Sequence, residues 1–443
     1  MNNYILYSYN LKDDDIESLT EIFDQYGNVS THIKLKFNSN QRCPICHHHV
    51  SIHDYRVKTI KHTQFVDSHS VIIFHHRRVK CKSCSHVFFE PNPFSEIGKK
   101  SSHLLIKHIL FELRKPNVTY TSLAKDVNVS PSFVIDVFDT HVCVPRNPLP
   151  EILCMDEIHT RVSSYDSSYA CILLDWSTNQ IVDILPSRRK GFLSSYFTKH
   201  NHECDSVKYL SIDMWLPYKE IAQLYFKNCI ICVDSFHVIE HIMKALNKVK
   251  IRVKKSFSTS SNEFYLLSKF EFLFMKYDIN LNNEGKYNKR FKRVLTYNDL
   301  FKMICEIDDS LNLAIIIKDQ YIHFNRTCDK EHASFQLLQI IHLIDTNLLP
   351  EFDEIKIMLQ NWHVEIVNSF TLIDGRRISN GPIEGVNSKI RILTKNANGY
   401  VNFERMRNRI MYVSNKNTFY SLKATYQSNK KAGKPRGTYK LSK

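Results

Sequence analysis

The chain has 443 residues, too many for one ordinary core at roughly 100–200 residues per domain, so several modules are expected. Sixty Lys and Arg against 45 Asp and Glu leave a formal charge of +15, which favours a polyanionic partner over a small acidic metabolite. The opening "MNNYILYSYNLKDDD" lacks the basic and apolar regions of a secretory signal, and no run approaches the ~18 apolar residues of a membrane span, so a soluble cytoplasmic protein is expected.

Residues 1–40 read as a short mixed segment ending in the β-like "THIKLKFN". Residues 41–95 carry "CPIC" and "CKSC" around strand-like text, "VIIFHHRRVKC". Cys43, Cys46, Cys81 and Cys84 form two C-x2-C pairs separated by 34 residues. Each pair suits a tight turn presenting two thiolates to one tetrahedral ion, and four thiolates make a closed structural site, for which zinc is the natural occupant. The remaining cysteines sit mostly alone in apolar runs, as in a reducing compartment. Arg77 and Arg78, with Lys80 and Lys82, are read as phosphate-contacting groups on this zinc ribbon.

Residues 100–145 turn helical. In "TSLAKDVNVSPSFVIDVFDTHV", Leu123, Ala124 and Val127 form the apolar side of a first helix. Ser130 is the N-cap of a second, with Pro131 at its first position. A short turn between two such helices is the geometry of a helix-turn-helix, placing Ser130 and Ser132 at the end that faces a DNA groove. The Pro-rich joint "VPRNPLP" closes the segment near residue 150.

From 150 to 245 apolar strand-length runs alternate with helical ones in the order βββαβαβα. This predicts a multidomain α/β chain whose core is a mixed sheet of the ribonuclease H (RNase H-like) kind, with strand order 3-2-1-4-5. Residues 246–375 read as an all-α insertion containing two basic runs with aromatics, "NKVKIRVKKSF" and "GKYNKRFKRVL", which match nucleic-acid backbone contacts without sequence readout. Residues 376–428 return to helices of the core, and 429–443 form a basic tail.

Asp156 closes "ILCMD" and Asp213 closes "YLSID". A carboxylate at the end of a buried strand is costly unless it meets a cation or hydrogen-bond donors. In the order 3-2-1-4-5 these two strands are neighbours, about 4.8 Å apart. Phosphoryl transfer by two divalent ions requires such converging carboxylates. Asp234 stands one strand further on, and His237 can reach it at i+3. Past the insertion, Ile383, Val386, Ile390 and Leu393 form an apolar helical stripe. Glu384 lies in the first turn of that helix, and Asn387, Lys389 and Arg391 follow as DNA-contacting candidates. Glu157, Asp166, Asp175 and Asp183 are read as turn or surface acids. Trp215 and Tyr218 fit either base stacking or core packing.

With "CPIC…CKSC", "MDEIH", "IDMWLPY", "VDSFHVI", "SNGPIEGVNSKIRILTKNANGY" and "FERMRNRI", the chain resembles bacterial insertion-sequence transposases of the ISL3 family, from about residue 40 to 413. The resemblance implies an RNase H-like DDE domain, interrupted by an all-α insertion, that binds terminal inverted repeats, cuts the element ends and joins them to target DNA with Mg²⁺ or Mn²⁺. It implies Asp156, Asp213 and Glu384 as catalytic metal ligands and Asp234 and His237 as accessory groups. It also implies double-stranded DNA as partner, at least a homodimer on that DNA, and a nucleoid location. Rival readings are a zinc-ribbon helix-turn-helix regulator without catalysis and an RNase H-like nuclease or resolvase.

Overall fold

The computed structural model describes residues 11–63, 69–96, 98–160, 162, 168–346, 349–418 and 420–421; the basic tail and Asp166 lie outside them. The chain divides into two compact units, one of Met1–Pro145 with Lys389–Lys443 and one of Arg146–Ser388. Among the described residues each unit holds one five-stranded sheet.

The first unit begins with β1 (Ile16–Phe23), β2 (Val29–Leu35), β3 (Val50–Lys61), β4 (Ser70–Cys81) and β5 (Val87–Phe89), in the order β1-β2-β4-β3 with β5 also on β4. β2 runs parallel to β4, so the described part of the first 40 residues shares a sheet with the cysteine pairs. Alternate residues Ile33, Ile60, Ile72 and Phe74 are fully buried and meet Phe94 to form a small core.

The two C-x2-C turns at one end of β3 and β4 are built alike. Cys43 and Cys81 each donate their N–H to a carbonyl five residues on, of His48 and His86. Each pair is followed by a residue in the left-handed region, His47 and Ser85. The four thiols converge, with Sγ–Sγ separations of 3.6 Å for Cys43–Cys84 and 3.4 Å for Cys46–Cys81 and Cys46–Cys84. Four sulfurs about 2.3 Å from a tetrahedral zinc ion would stand about 3.8 Å apart, so the cluster fits that ion closely. The N–H of Cys84, helped by that of Ser83, holds the Cys81 thiol down at about 6, which favours the thiolate a metal needs.

Arg77 corrects the sequence reading. It is 1% exposed, although alternation along β4 sets it on the face opposite Ile72 and Phe74 of the small core. Its guanidinium donates to Glu90 at 3.0 Å and Glu17 at 2.6 Å and to the Leu35 carbonyl. It ties three parts of the sheet together and has no route to a phosphate. Arg78 points the other way and is half-buried against Asp54, to which its Nε donates at 2.8 Å.

Then come α1 (His103–Glu112), α2 (Tyr120–Asp126) and α3 (Pro131–His141). Thr119 and Ser130 cap the last two by accepting the N–H groups of Ser122 and Phe133. The turn between them is a Schellman motif. Asn128 has φ 50°, Val129 N–H bonds the Ala124 carbonyl and Asn128 N–H that of Lys125, satisfying the orphan carbonyls of α2.

The second unit opens with β6 (Ile152–His159), β7 (Tyr169–Asp175), β8 (Ile181–Leu185), α4 (Lys190–Lys199), α5 (Asn201–Cys204), β9 (Tyr209–Ile212), α6 (Leu216–Tyr225), β10 (Ile230–Val233) and α7 (Ser235–Lys255). The sheet order is β10-β9-β6-β7-β8, with β6, β7 and β8 antiparallel and β6, β9 and β10 parallel. Counted along the chain, that is the expected 3-2-1-4-5. On one face Leu153, Met155, Leu210 and Ile212 join Phe197 and Tyr218 in the main core.

α7 runs straight from the sheet into the following region: α8 (Asn262–Lys269), α9 (Phe272–Met275), β11 (Lys286–Asn288), β12 (Arg293–Leu295), α10 (Tyr297–Cys305), α11 (Asp309–Thr327), α12 (Lys330–Thr346), α13 (Asp353–Asn361), α14 (His363–Asn368), β13 (Leu372–Ile373) and β14 (Arg376–Arg377). The region is not wholly helical, because β11–β12 and β13–β14 are antiparallel hairpins. In the second, Asp374 and Gly375 take φ values of 51° and 73°, the left-handed pair a tight hairpin turn requires. No helix among the described residues is long and apolar enough to cross a membrane.

α15 (Gly381–Asn396) buries the expected stripe of Ile383, Val386, Ile390 and Leu393, and α16 (Phe403–Ser414) completes the fold. The sequence reading counts α16 with the core of the second unit, but its partners are α1, α3 and the turn after α1. Tyr412 donates to the Leu110 carbonyl at 2.9 Å, Arg405 grips Asp139 with its shortest bond at 2.6 Å, and buried Arg409 donates to the Val118 carbonyl at 2.7 Å. Its polar text hides buried cations that find carbonyl and carboxylate acceptors.

Two outcomes are expected from the first unit. Purified protein will carry about one zinc per chain, and Cys81→Ser will lose the ion and melt at a lower temperature; metal analysis showing the wild-type content in the variant would refute the closed site. Arg77→Ala strands Glu90 and should cost about 3–5 kcal/mol in denaturant unfolding, whereas a surface phosphate contact would leave stability unchanged.

Candidate active site

β6 and β9 bring the first two predicted carboxylates together. Cys154 pairs with Ser211 in their parallel register, and two residues on the same register sets Asp156 beside Asp213. Asp156 is not at the end of its strand, because β6 continues to His159 against β7 alone. It stands where β9 stops, so the carboxylate fills the edge that β9 vacates. Asp213, just past β9, accepts the Trp215 N–H at 3.2 Å.

His237, in the first turn of α7, completes the cluster. Asp156, Asp213 and His237 each offer a ligand atom within 4.8 Å of the others. Glu384 does not join that group. It lies exposed in the first turn of α15, while Asn387, one turn on, reaches inward.

The Asn387 position overturns its reading as a DNA contact. It is 3% exposed, and its Nδ2 donates to Asp156 Oδ2 at 2.7 Å. The other Asp156 oxygen accepts the Glu157 N–H at 2.7 Å, so both oxygens are held. Tyr218 is fully buried and its hydroxyl lies 3.5 Å from the Asp156 carbonyl, which settles it as a core residue. Lys389 and Arg391 are exposed on α15, as is Ser132 on α3, while the Ser130 hydroxyl is engaged by its helix.

Asp234 is the N-cap residue of α7, 3% exposed, and its N–H bonds the Ile212 carbonyl. Its Oδ2 lies 3.9 Å from His237 Nε2, too far for a hydrogen bond, and has no hydrogen-bond partner in the structure. The pair therefore sits as the i+3 spacing predicts, but the histidine is the member that meets Asp156 and Asp213.

Around this cluster lie residues the sequence reading treated as background. Glu157 is ion-paired to Arg188, whose guanidinium is sandwiched 4.3 Å from the Tyr169 ring and 4.5 Å from that of Trp215. Asp183, read as a surface acid, is buried on β8 and accepts the Tyr196 hydroxyl at 3.1 Å. A long-range signal was needed for each, because the partners are distant in the chain.

Burial drives the electrostatics. Loss of water raises Asp156 to about 6, with the Glu157 N–H opposing and Asp213 adding to the rise. Loss of water and then the Glu157 charge raise Asp213 to about 6. Burial also raises Asp234, against the pull of His237. No Lys or Arg forms an ion pair with Asp156 or Asp213 among the described residues, so the charge demands a cation from outside. Two carboxylates and an imidazole form a donor set that fits a divalent metal.

The Asp156 shift has a sign. Folded Asp156 holds its proton to about 6 against an ordinary value of 3.8, so its contribution to stability is fully present below about pH 4 and is lost as pH rises through 6. The loss is about 3 kcal/mol. Without added divalent metal, the melting temperature of wild type relative to Asp156→Asn should fall between pH 4 and 6.5 and then level off. Parallel profiles for the two proteins would contradict the assignment.

Comparison with protein families matches residues 153–410 to the ISL3 family of DDE transposases, described as "Transposase". No curated protein matches the chain. The matched span begins inside β6, ends inside α16 and contains Asp156, Asp213, Asp234, His237, Glu384 and Asn387. It covers more than half of the sequence, and the chain belongs to the ISL3 family of transposases.

Proposed function

We propose that this transposase binds the terminal inverted repeats of an insertion sequence, cleaves DNA at the element ends and joins them to target DNA. The observation that carries the reading is the convergence of Asp156 and Asp213 from adjacent parallel strands, neither of them ion-paired to a lysine or arginine among the described residues. The strand order and the helices around it support an RNase H-like core. α2 and α3 support a helix-turn-helix, and the four thiols support a zinc ribbon beside it. Together these are the DNA-recognition parts. DNA chemistry places the protein in the cytoplasm at the nucleoid, and two ends cut together call for at least a homodimer.

Mg²⁺ or Mn²⁺, two per site, would activate the attacking water or 3′-hydroxyl and stabilise the leaving oxygen. Asp156 and Asp213 would hold them. Asn387 fixes the Asp156 carboxylate by its 2.7 Å bond, leaving less rotamer freedom to lose on metal binding. Glu384, one turn of α15 from Asn387, is our candidate for the third catalytic carboxylate. His237 is a competitor for that role, favoured by its presence within 4.8 Å of both aspartates. Asp234, 3.9 Å from His237, then acts through the placement of that ring.

The test is cleavage and strand transfer of a labelled element-end duplex in Mg²⁺ or Mn²⁺. Asp156→Ala and Asp213→Ala should abolish both steps while specific binding persists. Loss in Glu384→Ala with activity kept in His237→Ala assigns the third ligand to Glu384, and the reverse assigns it to His237. Binding without cleavage by wild type in any divalent metal would identify a regulator; cleavage without joining would identify a nuclease. Asn387→Ala should lower the rate about 10–100-fold and shift its metal requirement upward, a response that a purely structural residue would not give.

A further inference from the structure

Residues 248–293 hold 12 Lys and Arg against four Asp and Glu, a net +8 in about a tenth of the chain and more than half of the total charge. The hairpin β11–β12 is the centre of this excess. It is firmly built. Asn288 is buried and its Oδ1 accepts the Arg290 N–H at 3.0 Å. Arg290 ties the turn to α8 by donating to Asn262 at 2.8 Å and lies 5.0 Å from the Tyr265 ring. Gly285 admits the close approach of the second strand, since a Cβ there would stand 2.7 Å from Val294 Cγ1.

The anchored hairpin turns its other cations outward. Lys286, Lys289, Lys292 and Arg293 are exposed, as are Lys255 at the end of α7 and Lys269 at the end of α8. Lys250 and Arg252 nearby are ion-paired to Glu271 and Glu351, whereas these six hold no ion pair to a carboxylate among the described residues. Tyr287 and Val294 are each 63% exposed on the same hairpin. A rigid surface with many unneutralised cations and few acids is complementary to a regular array of phosphates. Its lysines are point charges without a bidentate fork, suited to backbone contact and not to reading bases.

We propose that the β11–β12 hairpin, with the ends of α7 and α8, is a sequence-independent contact surface for the backbone of duplex DNA. This rests on the reading of the protein as a DNA-joining enzyme. The surface contributes affinity for DNA of any sequence, as a target duplex must be held.

The full-length protein is titrated with a random-sequence duplex lacking the element end, over a range of salt. Lys289→Ala/Lys292→Ala/Arg293→Ala should lower the slope of log affinity against log salt by about 3 and weaken binding roughly tenfold or more, with an unchanged melting temperature. The charge-preserving Lys289→Arg/Lys292→Arg/Arg293→Lys should keep the wild-type slope. A control that removes three cations elsewhere, Lys199→Ala/Lys227→Ala/Lys356→Ala, should also keep it. Equal slopes for the hairpin variant and wild type, in a protein that still cleaves element ends, overturn the surface and leave the function standing. Absence of duplex binding and cleavage in wild type overturns both. Loss of binding only to RNA or to anionic vesicles would assign the surface to another polyanion and overturn the proposal.

Discussion

Two carboxylates held side by side away from water, with no lysine or arginine paired to them among the described residues, are the constraint around which the second unit is arranged. Parallel pairing of β6 and β9 sets their spacing, and the antiparallel strands beyond β6 give the sheet a rigid flank. The other strand face is filled by a large apolar core, which supplies the stability against which such a costly arrangement can stand. Helix α15 must then arrive at one position, because Asn387 has to reach Asp156. The loop before it is equally fixed: Cys154 meets the Ser379 carbonyl, and the Asn380 side chain is wholly buried. The site is therefore assembled from segments more than 200 residues apart in the chain, with the insertion folded between them.

The same physical rule separates the two kinds of buried charge in this protein. Arg77 donates to two glutamates and a carbonyl and so joins elements of the first unit. Asp156 and Asp213 receive N–H donors but, among the described residues, no lysine or arginine ion pair. A buried ion with its partners in place is a structural fastening, and one left short of counter-charge is poised for a ligand. Burial alone does not mark a site; the missing opposite charge does.

That distinction explains what could be read from the chain beforehand. Asp156 and Asp213 were legible because each interrupts an apolar strand, and the run of elements matches a ribonuclease H kind of sheet, in which those two strands are neighbours. The turns of the thiol cluster and the cap of α3 were legible because they depend on neighbours within a few residues. Arg77 and Arg78 looked alike in sequence, yet strand alternation sends them to opposite faces, where one is buried against glutamates 13 and 60 positions away and the other meets Asp54. Asn387 looked like a polar residue on an exposed helical face, and only the packing of α15 over β6 shows that it faces Asp156. The short hairpins escaped notice because β11 and β12 have three residues each, too few for alternation to stand out from helical text.

The pair Asp234 and His237 shows how sequence spacing and three-dimensional placement divide a role. Parallel pairing carries Asp234 next to Asp213, but its position as the N-cap residue of α7 turns the backbone there from strand to helix. The helix then returns His237, not Asp234, to the corner occupied by the two catalytic aspartate candidates. A carboxylate in that third place would add a like charge to the corner, whereas an imidazole offers a ring nitrogen without a negative charge. The histidine thus sits within reach of both carboxylates, while the acid Glu384 stands at the exposed start of α15.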